Sequence, residues 1–167
     1  MKTAWWLRVA CLLCLWAGQA QAAPLTTLFN TGVDASGTVL ADGTIGDPHY
    51  TLISVPGGTT DIRIRTSAGG FPIGPYIGDN TLSRWIGPNN DSALYGPVGT
   101  YTYRTTFDLT GFIPSSAVLT GNWTTDNNGL DILINGTPLG FTTSFNAFSS
   151  GFVPFTVSSG FVPGLNT

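Results

Sequence analysis

The sequence predicts an all-β protein, an antiparallel β-sandwich of the jelly-roll type, and three observations lead to that class. Glycine and proline interrupt the chain every several residues, and no stretch carries the apolar period of a long helix. The segments between these interruptions are short and rich in β-branched and aromatic residues. Short strands that recur about every ten residues, with turn residues between them, are typical of a sandwich or jelly roll.

Residues 1–22 are predicted to be a secretory signal peptide. Lys2 and Arg8 precede an uninterrupted apolar run at 9–17, and Ala20 and Ala22 supply the small residues that a signal peptidase recognises. The run is far shorter than the roughly 20 residues that cross a bilayer. We therefore expect residues 23–167 to be exported, as a single β-sandwich domain that is secreted or held at a bacterial cell surface.

The predicted domain is acidic and sparsely charged. It carries nine aspartates and four arginines, with neither lysine nor glutamate. Nucleic-acid binding is not expected, because it requires clustered cations. Both cysteines, Cys11 and Cys14, lie in the leader. The absence of disulfides favours a bacterial origin, since small secreted eukaryotic domains usually depend on them.

Alternating apolar and polar residues predict the first strands. In the strand predicted at 61–66, Ile62 and Ile64 share one face while Arg63 and Arg65 share the other. Segment 49–55 is predicted as a strand, and segment 100–109 alternates for ten residues as one long strand with a single buried face.

Turn residues predict two hairpins in the second half of the chain. Asp126-Asn127-Asn128-Gly129 separates the predicted strands 117–125 and 130–134, and Asn135-Gly136 leads into 138–142. Asparagine and glycine accept the positive φ that tight turns need. A last strand is predicted at 153–157. Segment 68–97, by contrast, is predicted to be an irregular loop without strands, of the kind that often carries function.

Carbohydrate contact is the binding chemistry that the loop favours. Sugar binding requires exposed aromatic planes with hydrogen-bonding groups beside them. The candidates in the loop are Tyr76, Arg84, Trp85, Asn89 and Tyr95; the alternative is that the aromatic rings only close one end of the sandwich. Arg104, the one cation of its strand, is expected to contact either Asp108 or a ligand.

Calcium is the one cofactor that the residues suggest. Asp126, Asn128 and Asp131 place oxygen ligands around one turn. Their spacing is not that of an EF-hand, and aspartate and asparagine are also ordinary turn residues. No other cofactor is expected.

Catalysis is not expected. His49 is the only histidine, and no nucleophile motif accompanies it, so a structural role is predicted for this side chain. Hydrolysis of glycosides would need a pair of aspartates, such as Asp126 with Asp131, because the chain has no glutamate.

The second half of the chain resembles a bacterial family. The strings SRWIGPN, GTYTYRTTFDLTGF, LTGNWTTDNNGLDILINGTPLG and SSGFVPGLNT, within 83–167, are similar to secreted PEP-CTERM exosortase substrates with galactose-binding-like jelly rolls. The resemblance implies a last strand and a carboxyl-terminal membrane anchor, neither of which follows Thr167. The sequence is therefore interpreted as a domain that lacks its last strand and the anchor expected in full-length relatives.

Together these observations predict a secreted, non-catalytic module of the extracellular matrix or cell surface. Its expected partner is an extracellular polysaccharide, bound weakly. The alternatives are a purely structural surface or biofilm protein without a small ligand and, less favoured by the residues, an aspartate-pair hydrolase.

Overall fold

The computed structural model describes residues 24–57, 59–88 and 97–167. The predicted signal peptide and the candidate residues Asn89 and Tyr95 lie outside these ranges. None of the helices within the described ranges has the length and apolar character needed to span a membrane.

The regular structure of the described residues consists of short strands, one single-turn helix and two 3-10 turns, at Ser67–Gly69 and Pro114–Ser116. The strands and the helix, in chain order, are β1 Tyr50–Ser54, β2 Ile62–Arg65, β3 Trp85–Pro88, β4 Thr102–Thr105, β5 Phe107–Asp108, β6 Leu119–Trp123, β7 Leu133–Ile134, β8 Thr137–Pro138, α1 Ala147–Ser150, β9 Val153–Val157 and β10 Leu165–Asn166.

Every pairing between these strands is antiparallel. Strand β1 pairs with β4, β2 with β3, β5 with β10, β6 with β9, and β7 with β8. Segment 43–46 adds to the second edge of β2, because the amides of Gly43 and Gly46 donate to the carbonyls of Ile64 and Ile62. The described chain is thus β-rich, antiparallel and poor in helix, as the sequence predicts.

Apolar side chains at alternate strand positions form two separate clusters. One contains Leu52, Ile62 and Ile64, with Tyr101 and Tyr103 packed against it. The other is built on four buried side chains from β5, β7, β9 and the loop after β5, which are Phe107, Leu109, Ile134 and Val157. The predicted faces of β2 are confirmed, since Ile62 and Ile64 are buried and the two intervening arginines are half-buried.

The predicted strand at 100–109 is divided into β4 and β5, which correct the single-strand prediction. Tyr101 and Tyr103 pack on the first cluster, whereas Phe107 and Leu109 belong to the second. The alternation of buried and exposed residues continues across the break at Thr106. One periodic segment thus contributes side chains to two hydrophobic clusters. Its first half, β4, pairs with β1, and its second half, β5, pairs with β10.

One of the two predicted hairpins is confirmed. Asn135, with φ 51°, and Gly136, with φ 81°, form the tight turn between β7 and β8. The hairpin predicted at 126–129 is wrong, because β6 pairs with β9 along its whole length. Its turn residues close around Thr143 instead, where Oγ1 accepts a 2.6 Å hydrogen bond from the Gly129 amide.

Segment 68–97 is less irregular than predicted, because it contains β3. Trp85 and Ile86 lie opposite Arg65 and Ile64 of β2 in an antiparallel ladder. The strand is only four residues long and ends at Pro88, so it lacks the extended alternation from which strands are recognised in a sequence.

Candidate functional site: an aromatic cluster beside two arginines

Four aromatic rings from three chain segments form one cluster, which we call the aromatic cluster: Phe71, Tyr76, Trp85 and Phe148. Tyr76 stacks on Phe148, with 4.4 Å between ring centroids, and meets Phe71 edge to face at 4.8 Å. Trp85 lies edge to face against both Phe71, at 5.7 Å, and Tyr76, at 6.2 Å. All four residues are half-buried, each with part of its surface open to solvent.

Two hydrogen bonds to the backbone of Ile77 hold the cluster together. Its carbonyl accepts a 2.9 Å bond from Nε1 of Trp85, and its amide donates a 2.8 Å bond to the carbonyl of Phe148. One residue of the loop is thereby tied both to β3 and to α1. The indole N–H is thus satisfied inside the protein.

A carboxylate lies next to the cluster. The hydroxyl of Tyr76 donates a 2.9 Å hydrogen bond to Oδ2 of Asp126, and Asp126 is exposed. The structure therefore brings together Tyr76, predicted as a ligand-binding residue, and Asp126, predicted as a metal ligand. A partly apolar surface with an acceptor at its edge suits a molecule with apolar C–H faces and hydroxyl donors.

Arg84 precedes Trp85 in the chain, but its guanidinium group donates hydrogen bonds to carbonyls of its own loop. Its Nη1 donates to the carbonyls of Asn80 and Ser83, and its backbone is bonded twice to Thr31. Its Nε is buried and finds no hydrogen-bond partner among the residues that the structure describes. These contacts give Arg84 a positioning role: it joins the amino-terminal segment of the domain to the loop.

Arg104 lies apart from the cluster, exposed on β4. The contact with Asp108 expected as one alternative is not formed. Oδ1 of Asp108 instead accepts two 2.7 Å bonds, from the amide and the hydroxyl of Thr110. These hydrogen bonds, that of the hydroxyl first, lower the pKa of Asp108. The break after β4 separates Arg104 from Asp108, so their spacing in the sequence does not produce an ion pair.

The three residues predicted to bind calcium have separate partners. Oδ1 of Asp131 accepts hydrogen bonds from four backbone amides, those of Ile132, Leu139, Gly140 and Phe141. Nδ2 of Asn128 lies 3.4 Å from the Thr143 carbonyl. Within the described ranges no three acidic, histidine or cysteine side chains converge. Calcium binding by Asp126, Asn128 and Asp131 stays a prediction.

His49 is engaged in packing, in line with the structural role expected for it. Its ring stacks on Phe29 at a centroid distance of 3.7 Å and an angle of 7°. Its Nε2 donates a 3.1 Å hydrogen bond to the carbonyl of Asp34.

Two further arginines, Arg63 and Arg65, lie near the aromatic cluster and are not among the predicted site residues. The alternation in β2 predicts only that they form its polar face, although two of the four arginines in residues 23–167 lie at alternate positions of this one strand. That concentration of positive charge on one strand is the sequence feature by which the two arginines could have been singled out. Strand β3 places Trp85 directly opposite Arg65, a neighbour that the sequence pattern does not predict.

Comparison of the chain with protein-family models, with curated proteins and with solved structures finds no match in any of the three.

Proposed function

We propose that this chain is an exported, non-catalytic β-sandwich module, of the kind that its second half resembles, and that it binds extracellular polysaccharide through the aromatic cluster. The observation that carries the proposal is the contact of Tyr76 with Asp126 at the edge of four half-buried rings. The proposed place of action is the extracellular matrix or the cell surface.

A sugar ring has two kinds of surface. Its C–H face is apolar and packs on an aromatic plane, while its hydroxyls need acceptors at the margin. Trp85 and Tyr76 supply partly exposed aromatic surface, and the exposed carboxylate of Asp126 supplies acceptor oxygens. Because little charge is involved, the expected contact is weak and repeated along a polymer rather than tight for one sugar.

A purely structural role is the second candidate, and one observation favours it. The four rings pack against one another, and Tyr76 contacts each of the other three. A cluster of this kind also stabilises the junction of the long loop with α1 when no ligand is bound. The two candidates differ in what happens when the outer surface of Trp85 is removed.

The deciding experiment is affinity electrophoresis of the full exported chain through gels that contain neutral or acidic polysaccharides. We expect retardation by at least one polymer, and a loss of roughly tenfold in affinity for Trp85→Ala, equivalent to about 1.4 kcal/mol. Phe112→Ala, which removes a partly exposed ring outside the cluster, is the matched control. A folded protein that no polymer retards would overturn polysaccharide binding and leave the structural role.

A further inference from the structure

Asp126 places a carboxylate at the edge of the aromatic cluster. Its Oδ2 accepts the 2.9 Å hydrogen bond from the hydroxyl of Tyr76, which holds one carboxylate oxygen at the rim of that ring. The side chain is exposed, and among the described residues its Oδ1 accepts no hydrogen bond. Because the Tyr76 hydroxyl already orients the carboxylate, Asp126 can accept a donor from a ligand at little further cost in conformational entropy.

A second carboxylate lies in the loop that carries the cluster. Asp79 follows Ile77, whose backbone holds the cluster together, by two positions, so their backbones are within about 7 Å of each other. Oδ2 of Asp79 accepts hydrogen bonds from the amide of Ser67, at 3.0 Å, and from its hydroxyl, at 2.6 Å. Its side chain is also exposed. The charge that the loop presents near the cluster is therefore negative.

The arginines do not neutralise Asp126, since no arginine forms an ion pair with it within the described ranges. Nη2 of Arg63 lies beside Gly43, on the edge of β2 that faces away from β3. Nη2 of Arg65 lies 3.5 Å from the carbonyl of Pro88. Of the other two arginines, one donates to carbonyls of its own loop and one is exposed on β4. Residues 23–167 contain no lysine, so no other side chain supplies a permanent positive charge.

An aromatic surface with a carboxylate at its edge suits a ligand that carries an ammonium group. Aromatic rings attract a cation that lies within about 6 Å of the ring centroid. A carboxylate binds an ammonium through a charge-assisted hydrogen bond, which is roughly twice as strong as a neutral one. An amino sugar offers both features, an apolar C–H face for the rings and a protonated amine for Asp126. A uronic acid would bring a second negative charge to the same edge and be repelled.

We propose that Asp126 determines which polysaccharide the aromatic cluster binds, and that the preferred polymer is one of amino sugars with free, protonated amines. The inference rests on the proposed function, because the rings still supply the apolar contact with the sugar. Asp126 adds one charged contact to an amine. Neutral sugars keep the apolar contact and bind more weakly, whereas acidic sugars are disfavoured. No covalent step is involved.

The test compares two ligands by isothermal titration calorimetry with the full exported chain. These are oligomers of glucosamine and of N-acetylglucosamine of equal length, in mildly acidic buffer where the free amines are protonated. Acetylation removes the positive charge and leaves the sugar ring in place. We expect the glucosamine oligomer to bind at least about tenfold more tightly than its acetylated counterpart.

A pair of isosteric variants locates this preference. Asp126→Asn removes the charge but keeps an oxygen that can accept the hydrogen bond from Tyr76. It is expected to lose about tenfold in affinity for the glucosamine oligomer and less than about twofold for the acetylated one. Asp61→Asn makes the same change at an exposed aspartate before β2 and is the matched control. It is expected to lose less than about twofold for either ligand.

The outcomes separate this inference from the proposed function. Equal, Trp85-dependent binding of the two oligomers would overturn the preference for amines and leave polysaccharide binding intact. Binding of no sugar by the folded protein would overturn both proposals. An equal loss for Asp61→Asn would show that net charge alone attracts the polymer, against a specific role of Asp126. Oligolysine bound as tightly as the glucosamine oligomer would replace the amino sugar by a basic peptide partner.

Thermal unfolding of each variant shows whether the fold is retained. The comparison of the two oligomers uses the unaltered protein, so it tests the preference for amines even if Asp126→Asn changes the fold.

Discussion

Asn135 donates a 2.9 Å hydrogen bond from Nδ2 to Oδ1 of Asn166, and this bond joins the turn between β7 and β8 to β10. Asn166 is fully buried. Its oxygen also accepts from the amide of Val162, while its Nδ2 donates to the carbonyls of Val162 and Gly164. One buried amide thus satisfies three backbone groups of the final loop and connects them to a turn that is distant in the sequence.

Replacing Asn166 is expected to destabilise the protein strongly. Asn166→Ala removes the hydrogen bonds to the amide and carbonyl of Val162 and one of the two donors to the Gly164 carbonyl, which also accepts from the Leu109 amide. The loss should be about 2–4 kcal/mol of unfolding free energy in total. Chemical denaturation measures this loss. Asn122→Ala, an exposed position of β6, is the control and should change the unfolding free energy by less than about 0.5 kcal/mol. Equal effects of the two substitutions would contradict the assigned role of Asn166.

Asp131 is expected to stabilise the loop after β8 through the four amides that its Oδ1 accepts. Asp131→Ala should cost about 2–4 kcal/mol, and Asp131→Asn less, because an amide oxygen still accepts these bonds without the charge. Asp61→Ala, at an exposed aspartate before β2, is the matched control for charge loss. If Asp131→Ala and Asp61→Ala unfold at the same denaturant concentration, the four amides do not depend on this carboxylate.

Substitutions at Gly32 and Gly37 distinguish the cost of a strained backbone conformation from the cost of a steric clash. Both have positive φ, 68° and 81°, but a Cβ on Gly32 would clash with Cβ of Arg84, whereas a Cβ on Gly37 would meet no described residue within 4 Å. Gly37→Ala should cost about 1 kcal/mol for its left-handed backbone. Gly32→Ala should cost a further 1–3 kcal/mol, roughly, for the displaced contact. Thermal unfolding of the two variants gives the comparison, and equal midpoints would show that Arg84 moves aside freely.

Two tyrosines are expected to make the fold sensitive to alkali. Burial, and then the charge of Asp47, raises the pKa of Tyr50 to about 12, and burial, and then Tyr101, raises that of Tyr103 to about 12. Unfolded tyrosine ionises near pH 10, so between pH 10 and 12 the unfolded chain binds fewer protons than the folded one. Stability should therefore fall as the pH rises through this window, by about 1.4 kcal/mol per pH unit for each tyrosine.

Tyrosinate absorbance during an alkaline titration measures this effect. The native protein should show a late-titrating fraction that disappears in denaturant, and Tyr50→Phe should reduce it. If every tyrosine of the native protein ionises near pH 10, the assigned burial of Tyr50 and Tyr103 is wrong.

The sequence by itself determined the features that depend on neighbouring residues. The class of antiparallel β structure, the two faces of β2 and the turn at Asn135-Gly136 follow from side-chain alternation and from the φ angles that asparagine and glycine accept. Strand β9 also lies at the predicted position, 153–157. These features form within a few residues, so a local pattern is sufficient to predict them.

Only the tertiary structure decided which strands and side chains meet. The turn residues near Asp126 suit a hairpin, yet β6 pairs with β9, and the carboxylate of Asp126 accepts a bond from Tyr76. Oδ1 of Asp131 accepts hydrogen bonds from amides that lie further along the chain, such as that of Gly140. Trp85 lies opposite Arg65 in the ladder of β2 and β3. Such partners are selected by packing between distant segments, whose free energy depends on every apolar surface that the fold buries and has no signature in any one stretch of sequence.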